Sequence, residues 1–103
     1  MFSTQDQSVA DFAIVCDLLS EKVRLQLVFL LAKGETNVSR LCKEMKVNQP
    51  LVSHHLGLLR MNGMAVATRK GKQVFYSLAK NCRVSGDKLK ISLASSSVSV
   101  EEL

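Results

Sequence analysis

At 103 residues, 47% apolar and 22% charged, the chain is sized for one domain and patterned for a globular one, which excludes global disorder. Its densest apolar run, residues 25–32, falls short of the roughly 18 residues of a membrane-spanning helix, and three cysteines without a CxxC spacing exclude a disulfide framework and a zinc ribbon. The net charge of +5 is segmental: residues 33–90 hold twelve bases against three acids, while residues 1–32 and 91–103 each carry a net of −2, and so concentrated a positive block points to a polyanionic partner.

Residues 1–11 show neither a basic start nor an apolar h-region, so no secretory signal is expected, and the protein is expected to be cytoplasmic with free thiols. From 8 to 19, Val9, Phe12, Ala13, Val15, Cys16 and Leu19 recur at three- and four-residue steps with Asp11 and Asp17 outward, an amphipathic first helix. Ser20 reads as the N-cap of a second helix whose Val23, Leu25, Leu27, Val28, Leu30 and Leu31 make it the core helix, stopped by Gly34. Asn37 caps a short third helix over Val38–Met45. Lys46 and Val47 form a tight joint, Asn48 caps again, and Pro50 sits in the first turn of a fourth helix that runs to Asn62 and ends at Gly63.

Two helices joined by so short a turn are the layout of a helix-turn-helix. After Gly63 the period changes to two, with strands over 64–69 and 73–78 joined by Lys70, Gly71 and Lys72, a basic hairpin that reads as a wing. The predicted fold class is therefore mainly α (α+β): a winged helix-turn-helix of four helices and two strands over residues 1–80. A tail over 81–103, not a separate domain, follows it. In that tail Val84, Leu89, Ile91 and Leu93 alternate with polar residues around Ser85, Gly86 and Asp87, as in a β-hairpin. Residues 94–99 are serine-rich and read as loose, with Val98 and Val100 able to add a weak strand.

At about 100° per residue, Val52, Leu56 and Leu59 define one face of the fourth helix, with Leu51, His55 and Leu58 on its flank. Gln49, Ser53, Gly57 and Arg60 fall opposite, with Pro50 and His54 beside them. A face of short polar groups fits a major groove, where base edges present donor and acceptor patterns. Gln49 suits an adenine edge or a phosphate, Ser53 and Gly57 allow close approach, and Arg60 suits a phosphate or an internal acid. His54 is the expected DNA contact, and His55 is read as a hydrogen-bonded, partly buried neighbour. Arg69, Lys70 and Lys72 place three charges at the wing, in reach of phosphates or a minor groove. Adjacent histidines point about 100° apart and cannot share one metal ion. No phosphate loop, paired carboxylates or nucleophile with its base stands out, so neither enzymatic activity nor a cofactor is expected.

The stretches SEKVRLQLVFLLAKGE, VSRLCKEMKVNQPLVSHHLGLLRMNGM and RKGKQVFYSL, which together span over half the chain, resemble the ArsR/SmtB family of bacterial winged-helix repressors. The resemblance implies a homodimeric repressor of double-stranded DNA, often released by an inducer. It places Gln49, Ser53, His54 and His55 on the recognition helix and Arg69, Lys70 and Lys72 on the wing. Metal-sensing members carry a cysteine and then a further cysteine or an aspartate on the short third helix, where this chain has Asn37 and Arg40, or Asp, His and Glu on a last helix, whereas no histidine follows His55 here. Neither metal route is therefore expected. Cys42 matches a position used by thiol-sensing members, with Cys16 and Cys82 as candidate partners. Dimers of the family pair through the first and last helices; since the tail does not read as a helix, helix one is expected to carry more of the interface. The alternatives are a winged helix used as a protein-interaction module and a thiol-redox-responsive regulator built on Cys42.

Overall fold

The computed structural model describes residues 7–92 and 97–101. Four helices come first: α1 (Gln7–Leu19), α2 (Lys22–Ala32), α3 (Val38–Met45) and α4 (Gln49–Met61). The hairpin β1 (Ala65–Lys70) and β2 (Gln73–Leu78) follows, and then β3 (Cys82–Ser85), β4 (Lys88–Ser92) and β5 (Ser97–Glu101). This is the predicted winged-helix order, extended by a second sheet.

The helix boundaries follow from side chains that satisfy otherwise unpaired backbone amides. Asn37 and Asn48 cap α3 and α4 as expected, accepting from the amides of Arg40 at 2.9 Å and Leu51 at 3.0 Å. The cap of α2 is Glu21 and not Ser20. The Glu21 carboxylate accepts from the Arg24 amide at 3.0 Å and puts a negative charge at the positive end of the helix, while Ser20 Oγ turns back and donates to the Asp17 carbonyl at 2.7 Å. Lys46 closes α3 in the left-handed region (φ 56, ψ 45), which allows α4 to begin three residues later.

In the wing, Ala65 pairs with Leu78 and Lys70 with Gln73, leaving Gly71 and Lys72 as a two-residue tip; Gly71 at φ +65 supplies the first position of a type II′ turn. The strand thus starts one residue later than the pattern suggests and takes in Lys70, because Met64, 2% exposed, is held in the core below. The wing is anchored at its base, where the Ala79 amide donates to the Met64 carbonyl at 3.0 Å. It is also anchored on its side: Thr36 and Tyr76 exchange backbone hydrogen bonds of 3.0 and 2.7 Å, tying β2 to the segment that leads into α3.

The tail forms an antiparallel sheet in the order β3-β4-β5. The predicted hairpin turns at Gly86 and Asp87, and Val98 and Val100 lie opposite Ile91 and Leu89 in β5. Residues 97–99, expected to be loose, belong to that strand; Leu93 and residues 94–96 lie outside the described residues.

One core joins all parts. Leu27, Val28 and Leu31 of α2 meet Leu41, the α4 residues Val52, Leu56 and Leu59, and Leu89 and Ile91 of the tail sheet. Burial of such side chains is worth about 1.5–3 kcal/mol each. The first helix buries Val15, Leu18 and Leu19, but Val9, Ala13 and Cys16, expected to face inward, are exposed together with Ala10 and Ile14. It therefore has a second apolar side that nothing among the described residues of one copy covers. Among the described residues no helix is long and apolar enough to cross a membrane.

Candidate nucleic-acid interface

Residue by residue, α4 divides as its periodicity requires. Val52, Leu56 and Leu59 are fully buried, whereas Gln49, Pro50, Ser53, His54 and Arg60 are exposed. Gly57 is half-buried, and a Cβ built there meets no atom within 4 Å, so its surroundings are open on the polar side. Leu51, placed on the core flank by the pattern, is 38% exposed.

His55 does not belong to the outward face. It is 7% exposed, and its Nδ1 lies 3.1 Å from Arg24 Nη1. Its Nε2 lies 3.8 Å from Glu21 Oε2. The adjacent His54 ring meets it edge-on at 5.1 Å and stays in solvent. Desolvation holds the His55 imidazole below the ordinary histidine range, with Arg24 and His54 pushing the same way and Glu21 opposing them. The Glu21 carboxyl is lowered, chiefly by the Arg24 amide that donates to it. Neither Arg24 nor Glu21 was singled out from the sequence as a partner of α4; the available signal was a lone arginine inside the apolar run of the second helix.

The wing presents Arg69, Lys70 and Lys72 to solvent, but not equivalently. Lys70 Nζ pairs with Glu35 Oε1 at 2.5 Å and lies 5.4 Å from the Phe75 ring centroid, so its charge is partly used within the protein. Arg69 Nε donates to the Gly71 carbonyl at 3.3 Å, which keeps the rest of its guanidinium outward. Lys72, at the tip, has no ion-pair partner among the described residues.

All three thiols are free: Cys16 is exposed on α1, Cys42 is half-buried on α3, and Cys82 is buried, its thiol pushed up to about 11 by desolvation. Among the described residues no three His, Cys, Asp or Glu side chains cluster as metal ligands would.

The family model for the bacterial regulatory proteins of the arsR family matches residues 21–65, the stretch from the Glu21 cap to the first residue of the wing. A biofilm growth-associated repressor of Agrobacterium fabrum is 36% identical over 76 residues, covering 74% of this chain and 65% of the relative. The chain spans about half the length of other curated relatives, 54% for the Xylella fastidiosa repressor of the same description. Among solved structures, the transcriptional repressor BigR from Xylella fastidiosa superposes with a TM-score of 0.67 at 36% identity, over 72% of this chain and 73% of that one. The homodimeric winged helix-turn-helix DNA-binding domain of a Mycobacterium bovis protein superposes with a TM-score of 0.64 at 30% identity, over 77% and 76%.

Proposed function

Because the chain belongs to the arsR family of bacterial regulatory proteins, we propose that it is a sequence-specific DNA-binding transcriptional repressor, a cytoplasmic homodimer whose partner is double-stranded DNA and whose task involves no catalytic step. The observation that carries this reading is the division of α4: a polar edge of Gln49, Ser53 and His54 standing in solvent over a fully buried Val52, Leu56 and Leu59. A helix held that rigidly from behind, with short polar groups in front, suits the major groove. Ser53 and His54 read base edges, Gln49 and Pro50 sit at the helix N-terminus beside the backbone, and Gly57 leaves room for close approach. Arg60, Arg69 and Lys72 meet phosphates, with Lys70 a weaker contributor. Residues 1–80 form the DNA-binding domain, and residues 81–103 a tail whose strands β3 and β4 pack on it.

The uncovered apolar side of α1, with Val9, Ala13 and Ile14, supports pairing of two copies through that helix, which would set two α4 helices about one DNA turn apart. Salt titration of binding to duplex DNA tests the function. Several phosphate contacts demand a steep fall of affinity with salt, whereas a flat response assigns the fold to protein interaction instead. Within a selected binding site, Ser53→Ala and His54→Ala should each weaken specific binding by about 1–3 kcal/mol while leaving non-specific binding nearly unchanged.

A further inference from the structure

We propose that Arg24 and His55 are positioning residues: a guanidinium–imidazole bridge that fixes α4 to the C-terminal end of α1 and so sets the angle and separation at which a dimer presents its two α4 helices. The inference rests on the reading of the protein as a DNA-binding homodimer that pairs through α1.

The two helices it joins are not closely packed on each other. A groove of about 610 Å³ opens between them, lined by Ala13, Ile14 and Leu18 of α1, by Leu58 and Asn62 of α4, and by Arg24. Across this gap Arg24 uses its donors in three directions. Nε donates to the Leu18 carbonyl at 2.6 Å and Nη2 to the Asp17 carbonyl at 3.4 Å, both in the last turn of α1, and Nη1 donates to His55 Nδ1 at 3.1 Å. The backbone amide of the same residue is held by the Glu21 cap, so the arginine starts from a fixed point at the head of α2. Movement of α4 relative to α1 therefore breaks a charge-assisted hydrogen bond in a part-buried site.

The bridge works in one protonation state. A guanidinium offers only donors, so Nδ1 must be the acceptor nitrogen, and the proton of neutral His55 sits on Nε2, toward Glu21. A second proton on Nδ1 would set two cations against each other at hydrogen-bond distance and release the contact. The charged and titratable groups around the ring are Arg24 and Glu21 from the α2 side, His54 on its own helix and Asp17 at the α1 edge of the groove. Among the described residues α3 and β1, which also pack on α4, add no charge to that set. Acidification should thus free α4 through His55, and any effect of the DNA-facing His54 is shared by His55→Gln and by both half-site spacings.

The test uses the full chain, a selected binding site with two half-sites, and the same site with the half-sites moved apart by about two base pairs. Wild type at about pH 7.5 should prefer the native spacing by roughly tenfold, and this preference should shrink toward pH 5. His55→Gln keeps an acceptor for Arg24 but does not titrate, so it should retain the preference at both pH values. His55→Leu should lose it at both, with affinity for unrelated duplex unchanged within about threefold. Circular dichroism at each pH confirms the fold. Should His55→Leu not fold, Arg24→Gln and the pH comparison of wild type with His55→Gln carry the test. A folded His55→Leu or Arg24→Gln with wild-type spacing preference overturns the proposal, as does a wild type whose preference follows the same pH course as His55→Gln. Wild-type binding indifferent to spacing also overturns it but leaves DNA binding intact, whereas no salt-sensitive binding to any duplex overturns the functional reading itself.

Discussion

His54 and His55 are neighbours in the chain, yet about 100° of helical rotation gives them unlike environments: one stands in solvent, and the other is 7% exposed against Arg24. Because burial lowers the folded-state pKa of His55, an unfolded chain takes up the proton first as pH falls below about 6.5. The contribution of this residue to stability is therefore complete above that value and declines on acidification. Urea unfolding between about pH 8 and 5 should show the decline, and His55→Gln should flatten it; an equal slope in both proteins would remove the assignment. The thiols differ by the same logic. In a single copy Cys16 should react first with a maleimide and Cys42 more slowly, with Cys16 shielded where two copies pair through α1, while Cys82, buried with its thiol near 11, should react only on unfolding. Mass spectrometry of the labelled peptides reads this order directly. The rotation that sorts α4 into two faces was legible in the sequence because periodicity is a local property. The partner of His55 lies 31 residues away, and no local pattern records it.

At the level of elements, caps were legible where a short side chain sits just before an apolar repeat, as with Asn37 and Asn48. For the second helix only the cap differs, because two capping residues stand in succession and only geometry decides that Glu21 reaches the Arg24 amide while Ser20 closes α1. The wing was legible from its tip and its β-branched and aromatic run. Its tie to Thr36 and the Lys70–Glu35 pair were not, since both join segments 35 to 40 residues apart. That pair makes the three wing cations unequal. Lys72→Ala should lower the slope of log affinity against log salt by about 0.9 if the tip meets one phosphate. Lys70→Ala should lower it by less, because part of its charge is already neutralised, and Glu35→Gln should strengthen binding to any duplex by releasing Lys70. Equal losses at positions 70 and 72 would show that the pair opens on DNA.

Taken as a whole, the molecule has two sheets with different relations to one core. The wing hairpin projects, with Val66 and Val74 exposed, whereas the tail sheet sends Cys82, Leu89 and Ile91 inward onto the helices. The open end of the β3–β4 hairpin is clasped at the surface: the Ser92 amide donates to the Asn81 carbonyl at 2.8 Å, and Asn81 Nδ2 donates to the Ser92 carbonyl at 3.3 Å. The alternation of Leu89 and Ile91 with lysines made these strands legible, but not the surface they cover, which depends on where the chain returns after the wing. Since Leu89 and Ile91 are both fully buried in the cluster that contains Leu27 and Val28, the tail is a structural part of the winged helix. Leu89→Ala and Ile91→Ala should each cost about 2–5 kcal/mol, the range for emptying a filled core site. Both variants should still unfold in one transition, followed alike by helical circular dichroism and by tyrosine fluorescence from Tyr76 in the wing. A chain cut after Lys80 should expose the underside of α2 and lose that cooperative transition. If it melts as sharply as the intact protein, and at the same temperature, the sheet is an addition to a self-sufficient domain, and the single core inferred from burial does not hold.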